Sequence, residues 1–147
     1  MTRILVTCAS RHGSTVEIAT EIADVLRRDV PGAVVDLRDA VQAGEVAGYD
    51  AAVIGSAVYM GRWLPAARDL VEEHREVLST MPVWLFSSGP VGDPPVPVDE
   101  LAEVMALRAA VGARGHRLFA GRLDRHELRW ASEVASALTT GAGERAR

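Results

Sequence analysis

The sequence contains no lysine, and all 16 of its basic residues are arginine. Every mechanism that needs a lysine amine is therefore excluded. These mechanisms include the P-loop of nucleotide hydrolases and the Schiff base of pyridoxal-phosphate enzymes. Aldolases that form a Schiff base with their substrate are excluded for the same reason.

Cysteine is almost as scarce, since Cys8 is the only one. A single thiol excludes an intrachain disulfide and any zinc or iron–sulfur site built from several cysteines. It fits a reducing compartment. No apolar run approaches the roughly 20 residues of a membrane span, and the opening segment MTRILVTCAS is too short for a secretory core. We therefore expect a cytoplasmic protein without a membrane span, in which Cys8 is a buried structural thiol.

The charge balance is acidic, with a net charge of −4. This argues against nucleic acid or an anionic membrane as the principal partner. A chain of 147 residues with 48% hydrophobic residues is typical of one globular domain with its own core. We expect that domain to cover residues 1–140, followed by a frayed tail over residues 141–147.

Short apolar segments alternate with helical stripes along the chain. The predicted strands are 4–9, 33–37, 51–54, 82–88 and 116–120, and the predicted helices are 15–26, 64–78, 98–109 and 128–138. Helices between apolar strands favour right-handed crossovers and a parallel sheet covered on both faces. The fold class is therefore α/β, a single doubly wound domain with a five-stranded parallel sheet. Ligands of such domains bind beyond the carboxyl ends of the strands.

The loop after the first predicted strand has the composition of a phosphate site. It consists of Ser10, Arg11, His12, Gly13, Ser14 and Thr15. Backbone N–H groups at the start of a helix, together with the helix dipole, favour an anion. Three hydroxyl groups, and a glycine that lets the backbone approach a ligand, support that interpretation. Ser14 or Thr15 also fits the ordinary role of a helix N-cap.

Two further loops supply features that suit a flat ring. The loop after the third predicted strand contains Ser56, Ala57, Val58, Tyr59, Met60, Gly61 and Trp63. Its aromatic rings and methionine would bury area against a flat apolar ligand, unless Trp63 packs in the core instead. The loop after the fourth contains Ser88, Gly89, Pro90, Val91, Gly92 and Asp93, whose backbone N–H groups suit the edge of a heterocycle. The three loops together predict a mononucleotide with a large flat ring.

Other ligand classes and reactions lack their signatures. A dinucleotide fingerprint needs G-x-G-x-x-G, and Gly13 is the only glycine of the first loop. A phospho-acceptor signalling domain needs acidic residues after the first and third strands and a lysine after the fifth. This chain has Ser10, Ser56 and no lysine in those places. No acid pair or Ser/His/Asp arrangement indicates hydrolysis, so we predict no catalytic side chain and no metal site.

The three loops resemble those of the flavodoxin family. The stretch ILVTCASRHGSTVEIATEIADVL is similar to that family's first strand, phosphate loop and helix. The segments YDAAVIGSAVYMGRWLPAARDLV, MPVWLFSSGP and HRLFAGRLD are similar to the subgroup that includes menaquinone-dependent protoporphyrinogen oxidases. The resemblance extends to about Leu138. It implies the strand order 2-1-3-4-5, with FMN at the point where the order reverses.

The resemblance also implies which residues meet the cofactor. The FMN phosphate would lie at residues 10–15, and the flavin ring between residues 56–63 and 88–93. Electron-carrier flavodoxins commonly have an aromatic residue in the last of these loops. Its absence here leaves one face of the ring open to a substrate or partner. The oxidases have a long insertion where residues 123–127 run almost directly into the last helix, so protoporphyrinogen is not assigned as a substrate.

We therefore expect an FMN-binding redox protein, in which the flavin performs the chemistry and the protein binds, orients and tunes it. The open ring face favours an FMN-dependent oxidoreductase over an electron carrier. Its partner would be a redox protein, a quinone-like molecule or a small oxidant. A homodimer is compatible with the sequence, although no self-complementary patch indicates one. The alternative is a flavodoxin-fold interaction module that has lost FMN, which should carry bulky or acidic residues in the phosphate loop.

Overall fold

The computed structural model describes residues 2–11, 13–89, 102–120 and 125–145. These residues form six strands and five helices. The strands are β1 (Arg3–Ala9), β2 (Val34–Asp39), β3 (Ala51–Tyr59), β4 (Arg62–Trp63), β5 (Val83–Gly89) and β6 (Gly115–Ala120). The helices are α1 (Ser14–Asp29), α2 (Pro65–Glu73), α3 (Arg75–Leu78), α4 (Ala102–Val111) and α5 (Arg125–Arg145), with a short 3-10 helix at Ala40–Gln42. All five predicted strands are present, and four of them lie within two residues of their expected bounds, whereas β3 is longer.

The parallel strands lie in the order β2-β1-β3-β5-β6. Counted without the short β4, this is the order 2-1-3-4-5, so the predicted topology is confirmed. Each crossover between neighbouring parallel strands brings the carboxyl ends to the same edge of the sheet. The point at which the order reverses lies between β1 and β3.

Strand β4 is the element that the sequence interpretation missed. It pairs antiparallel with the end of β3, with Val58 opposite Trp63 and Tyr59 opposite Arg62. The two turn residues, Met60 and Gly61, have φ angles of 53° and 78°. Positive φ at both central positions is the geometry of a type I′ hairpin, which matches the twist of the flanking strands. Strand β3 consequently runs five residues past its predicted end.

The predicted helix over residues 64–78 is two helices. His74 separates them with φ −106° and ψ 20°, outside the helical range, while its N–H still bonds to the carbonyl of Leu70. The short α3 that follows places Leu78 in the core with no exposed surface. The prediction of one continuous helix was wrong because a stripe of apolar positions does not show a change of axis. Helix α5 extends to Arg145, and a domain limit at residue 140 stays a prediction.

Two hydrophobic clusters cover the opposite faces of the sheet. Alternate residues of β1 divide between them, with Ile4 and Val6 packing towards α1 and α5, and Leu5 towards α2 and α4. In the first cluster the Phe119 ring meets those of Phe86 and Trp130 edge to face, with centroids 6.0 and 5.9 Å away. This arrangement confirms a doubly wound sheet with helices on both faces.

Gly55 belongs to the same layer of the fold. A Cβ atom at Gly55 would lie 2.1 Å from Cζ of Phe86, the side chain of its register partner on β5. Glycine is required here because the Phe86 ring fills the space of a side chain. Within the part of the chain that the structure describes, no helix is both long enough and apolar enough to cross a membrane.

Candidate functional site

The three loops singled out in the sequence follow three neighbouring strands. In the sheet register Ala9 of β1 lies beside Ser56 of β3, and Ala57 lies beside Ser88 of β5. The loops therefore leave the sheet side by side at its carboxyl edge. His12, Pro90, Val91, Gly92 and Asp93 lie outside the described residues.

The first loop is closed by a hydrogen bond that its own serine accepts. The backbone N–H of Gly13 donates to Oγ of Ser10 at 3.0 Å. Gly13 takes a left-handed conformation, with φ 88°, and is the N-cap residue of α1. Among the described residues no side chain caps this end, and the first backbone bond of the helix runs from Glu17 N–H to the Gly13 carbonyl at 3.1 Å. The start of α1 is thus open to an acceptor from outside the helix.

The hydroxyl residues after the glycine do not act as the N-cap. Ser14 is the first residue of the helix and is exposed, whereas Thr15 is only 1% exposed. The alternative in which either residue caps α1 does not describe this helix, because the cap position belongs to Gly13. The hydroxyl of Ser14 remains accessible at the helix N-terminus.

Arg11 connects the first loop to the hairpin of β3 and β4. Its guanidinium carbon lies 4.4 Å from the centroid of the Tyr59 ring, in the geometry of a cation–π contact. Tyr59 is 56% exposed, and Met60 at the tip of the hairpin is 86% exposed. Large apolar side chains therefore project beyond the edge of the sheet, next to the open start of α1.

Two other residues of the second loop, Trp63 and Ser56, are buried beneath the hairpin. Trp63 is 2% exposed, and its indole N–H donates to Oγ of Ser87 at 2.8 Å. Ser56 is fully buried; its Oγ accepts from the N–H of Leu64 at 2.9 Å and donates to the carbonyl of Ala57 at 2.8 Å. The option that Trp63 packs in the core is the one the structure adopts. Both side chains fasten the hairpin to the sheet.

A second buried contact extends this connection to β6. Oγ of Ser87 lies 2.7 Å from Nε2 of His116. Burial, together with the nearby charge of Arg108, lowers the pKa of His116 to about 4, so the imidazole is neutral near pH 7. Because Ser87 already accepts from Trp63, its own hydroxyl proton is available for Nε2 of His116.

Sequence reasoning located Ser87 and His116 near the ends of their strands but did not bring them together. The register pairs Leu85 with His116, which puts the serine two residues further along the same face. The expected strand order already made β5 and β6 neighbours, but the register between them, which a single sequence does not show, was the signal that was needed. Among the described residues Nδ1 of His116 has no hydrogen-bond partner, so the pair lacks the third member of a hydrolytic triad.

The ends of β3 and β5 approach each other closely. A Cβ atom at Gly89 would lie 3.3 Å from Cβ of Val58, and Ser88 is 8% exposed. Ala57 and Val58 are partly buried. The described part of the third loop therefore begins directly against the hairpin, with little side-chain volume between them.

Cys8 lies one residue before the end of β1 and is 2% exposed. Burial, with a smaller contribution from the carboxylate of Asp39, raises the pKa of its thiol to about 11. The expectation of a buried structural thiol is confirmed. Within the described residues, no three histidine, cysteine, aspartate or glutamate side chains are grouped so that they could hold a metal ion.

Comparison with solved structures identifies similar folds at low sequence identity. The chain is similar to a point mutant of the flavodoxin from Pseudomonas aeruginosa, with 17% identity and a TM-score of 0.72 over 93% of this chain and 99% of the other. It is similar to the flavodoxin of Streptococcus pneumoniae TIGR4, with 20% identity and a TM-score of 0.68 over 95% and 99%. It is also similar to the rubredoxin oxygen:oxidoreductase of Desulfovibrio gigas, with 12% identity and a TM-score of 0.75.

The last comparison is partial, because the match covers 96% of this chain but only 36% of that larger protein. A search of curated proteins gave no match. The similarity to the protoporphyrinogen oxidase subgroup therefore stays a prediction. The Flavodoxin domain family matches residues 5–136, which is most of the sequence. With that match and the order of its sheet, the chain belongs to the Flavodoxin domain family.

Proposed function

We propose that this protein binds FMN at the carboxyl edge of its sheet and works as an FMN-dependent redox protein. The observation that carries the proposal is the uncapped start of α1, where left-handed Gly13 follows a loop fastened by Ser10. Backbone N–H groups at such a helix end, aided by the helix dipole, bind phosphate. The names of the flavodoxins to which the fold is similar support the same cofactor.

The phosphate would be held by the first loop, residues 10–15. The N–H groups of the first turn of α1 have no side-chain acceptor at the cap and would donate to its oxygens. The exposed hydroxyl of Ser14 is a further donor at the same end. No acidic residue stands in this loop, and Arg11 contributes a positive charge. The residues present thus fit a phosphate dianion.

The ring would lie between residues 56–63 and 88–93. Tyr59 and Met60 offer exposed apolar surface on one side. Ser56 and Trp63 act from beneath, by holding the hairpin that carries those two side chains. Gly89 lies close to Val58 and has no side chain, so position 89 places no bulky group in the space between the loops.

When bound, the flavin supplies the electron-transfer chemistry. The chain's own residues bind the phosphate, orient the ring and shield part of it from water. No side chain needs to act as an acid or base, since the buried His116 is neutral and is engaged with Ser87. The electron acceptor in this proposal is a redox partner protein, a quinone-like molecule or a small oxidant, and we favour an enzyme over a carrier.

The test is the absorbance spectrum of the purified protein before and after addition of FMN, followed by gel filtration. We expect flavin bands to elute with the protein, and riboflavin, which lacks the phosphate, to bind much more weakly. If FMN at micromolar protein concentration elutes entirely free, the proposal is wrong. An interaction module that no longer binds FMN then becomes the better account.

A further inference from the structure

Three arginines lie on the β3–β4 hairpin or beside it, and we call them the arginine rim: Arg11, Arg62 and Arg68. Arg11 rests on the Tyr59 ring, with its guanidinium carbon 4.4 Å from the ring centroid. Arg62 is the cross-strand partner of Tyr59, and its side chain is 72% exposed. Side chains at such paired positions stand next to each other on one face of the hairpin. Arg11 therefore lies over the Tyr59 ring, and Arg62 stands beside it on the neighbouring strand.

The positive charge of the rim is only partly compensated. Arg62 and Arg68 approach the same carboxylate oxygen, Oε2 of Glu103, at 3.8 and 3.7 Å. One carboxylate cannot neutralise two guanidinium groups. Within the part of the chain that the structure describes, Arg11 forms no ion pair and packs against a neutral ring instead. Among the described residues, the rim thus carries more positive than negative charge, on a protein whose net charge is −4.

We propose that the arginine rim, with Tyr59 and Met60 between its members, is the docking surface for an acidic redox protein. The redox character of this partner rests on the FMN-binding function proposed above. Aromatic residues, methionine and arginine are enriched where proteins associate. Met60 is 86% exposed at the tip, so its side chain is available to a partner.

The charge of the rim determines the kind of partner. An acidic surface approaching the hairpin would be attracted and oriented, and a basic surface would be repelled. Nucleic acid is the other polyanion to consider, but the acidic net charge of the chain opposes it. The docking surface adjoins the proposed ring site, so a protein bound there would stand within a short distance of the cofactor.

The first experiment maps the surface without any flavin. Paramagnetic hexacyanochromate(III), a trianion, is added to the full chain, and the broadening of backbone amide NMR signals is recorded. We expect broadening of the signals of residues 59–62, which lie outside the proposed phosphate loop. The trication tris(ethylenediamine)chromium(III) should leave these signals sharp. Arg62→Gln should reduce the broadening. Arg75→Gln should leave it unchanged, because the exposed Arg75 is the first residue of α3, beyond the far end of α2.

The second experiment uses the FMN-loaded, reduced protein. Ferricyanide takes one electron from it and becomes ferrocyanide, while hexaammineruthenium(III) does the same with the opposite charge. At 10 mM ionic strength, where charges act over about 30 Å, we expect ferricyanide to react faster and to slow as salt is added. Arg62→Gln should lower the ferricyanide rate constant about two- to threefold. Both proteins are measured at saturating FMN, so that a change in FMN affinity does not enter the comparison of rates.

The outcomes separate the two proposals. If FMN binds but the trication broadens the hairpin signals as much as the trianion, the docking inference is wrong and the cofactor proposal stands. If the trianion maps to the rim but FMN does not bind, the surface is confirmed as anion-selective and the redox role is wrong. If a short single-stranded DNA broadens the same signals at equal charge concentration more than polyglutamate does, the assignment to an acidic protein is overturned.

Discussion

The indole N–H of Trp63 donates a 2.8 Å hydrogen bond to Oγ of Ser87, and this contact fastens the β3–β4 hairpin to the middle of the sheet. Both residues are almost fully buried. The hydroxyl also lies 2.7 Å from Nε2 of His116, so one serine connects three strands. Exposed residues at the site are consequently supported by a polar chain whose Trp63 and Ser87 members are almost fully buried.

Removal of that hydroxyl should destabilise the fold. Ser87→Ala leaves the Trp63 N–H and the His116 ring nitrogen without their partner, and an unsatisfied buried polar group costs about 1–3 kcal/mol. We expect the free energy of unfolding, measured by urea denaturation, to fall by about that amount. Ser79→Ala is the matched control, since Ser79 is exposed on the surface. Equal effects of the two substitutions would contradict a supporting role for Ser87.

The same network should make stability depend on pH. The pKa of His116 in the folded protein is lowered to about 4 by burial and by Arg108, against about 6.5 in an unfolded chain. Between these values the unfolded state binds a proton that the folded state does not, so stability falls as pH decreases from about 6.5 to about 4. The loss is complete once the folded histidine also titrates.

This pH dependence is measured from urea midpoints between pH 7 and pH 4.5. His116→Gln removes the titrating group, so the decline in stability should be shallower than in the unsubstituted protein. His74→Gln provides the comparison, because His74 lies at the junction of α2 and α3, away from the Ser87 network. An unchanged slope in His116→Gln would show that other groups cause the decline.

Gly13 should matter to FMN more than to folding. Its φ of 88° is strained for alanine, and Gly112 has a similarly positive φ of 63° with no atom near an added Cβ. Gly13→Ala and Gly112→Ala should therefore lose similar amounts of stability, about 1 kcal/mol each. Only Gly13→Ala should weaken FMN binding, by about tenfold, which corresponds to one hydrogen bond to a charged group. Isothermal titration with FMN measures both affinities, and equal values would argue against phosphate at this loop.

Cys8 should be unreactive in the folded state. Its thiol is buried and its pKa is raised to about 11, so very little thiolate is present at pH 8. We expect modification by a disulfide reagent to be limited by unfolding, and therefore to accelerate by orders of magnitude in urea. Rapid reaction of the native protein at pH 8 would show that β1 opens locally beside the first loop.

The five parallel strands and the positions of the three loops were predictable because each depends on a local pattern, and the strand order followed from the resemblance to the flavodoxin family. Apolar runs such as residues 51–54 indicate strands buried on both faces, and the hydroxyl groups around Gly13 mark a turn into a helix. The hairpin was not predictable in the same way. Its turn needs positive φ at Met60, a residue whose type gives no sign of that conformation.

The contacts of Trp63, Ser87 and His116 beneath the site could not be predicted for a related reason. The sequence is compatible with Trp63 as an exposed ring or as a core side chain. Only the backbone path of β4 decides between the two positions. The contact between Ser87 and His116 spans 29 residues of sequence. It arises from the register between β5 and β6, which a pattern within either strand does not contain.

The fit between Gly55 and Phe86 restricts how this sequence can diverge. The aromatic ring occupies the volume that any side chain at position 55 would need, so the two positions are not free to vary independently. A related chain with alanine or a larger residue at position 55 should carry a smaller side chain at position 86. Neither residue is among those proposed to touch the cofactor. Their joint variation would thus reflect the packing of β3 against β5 rather than the function of the cofactor site proposed at the carboxyl edge of the sheet.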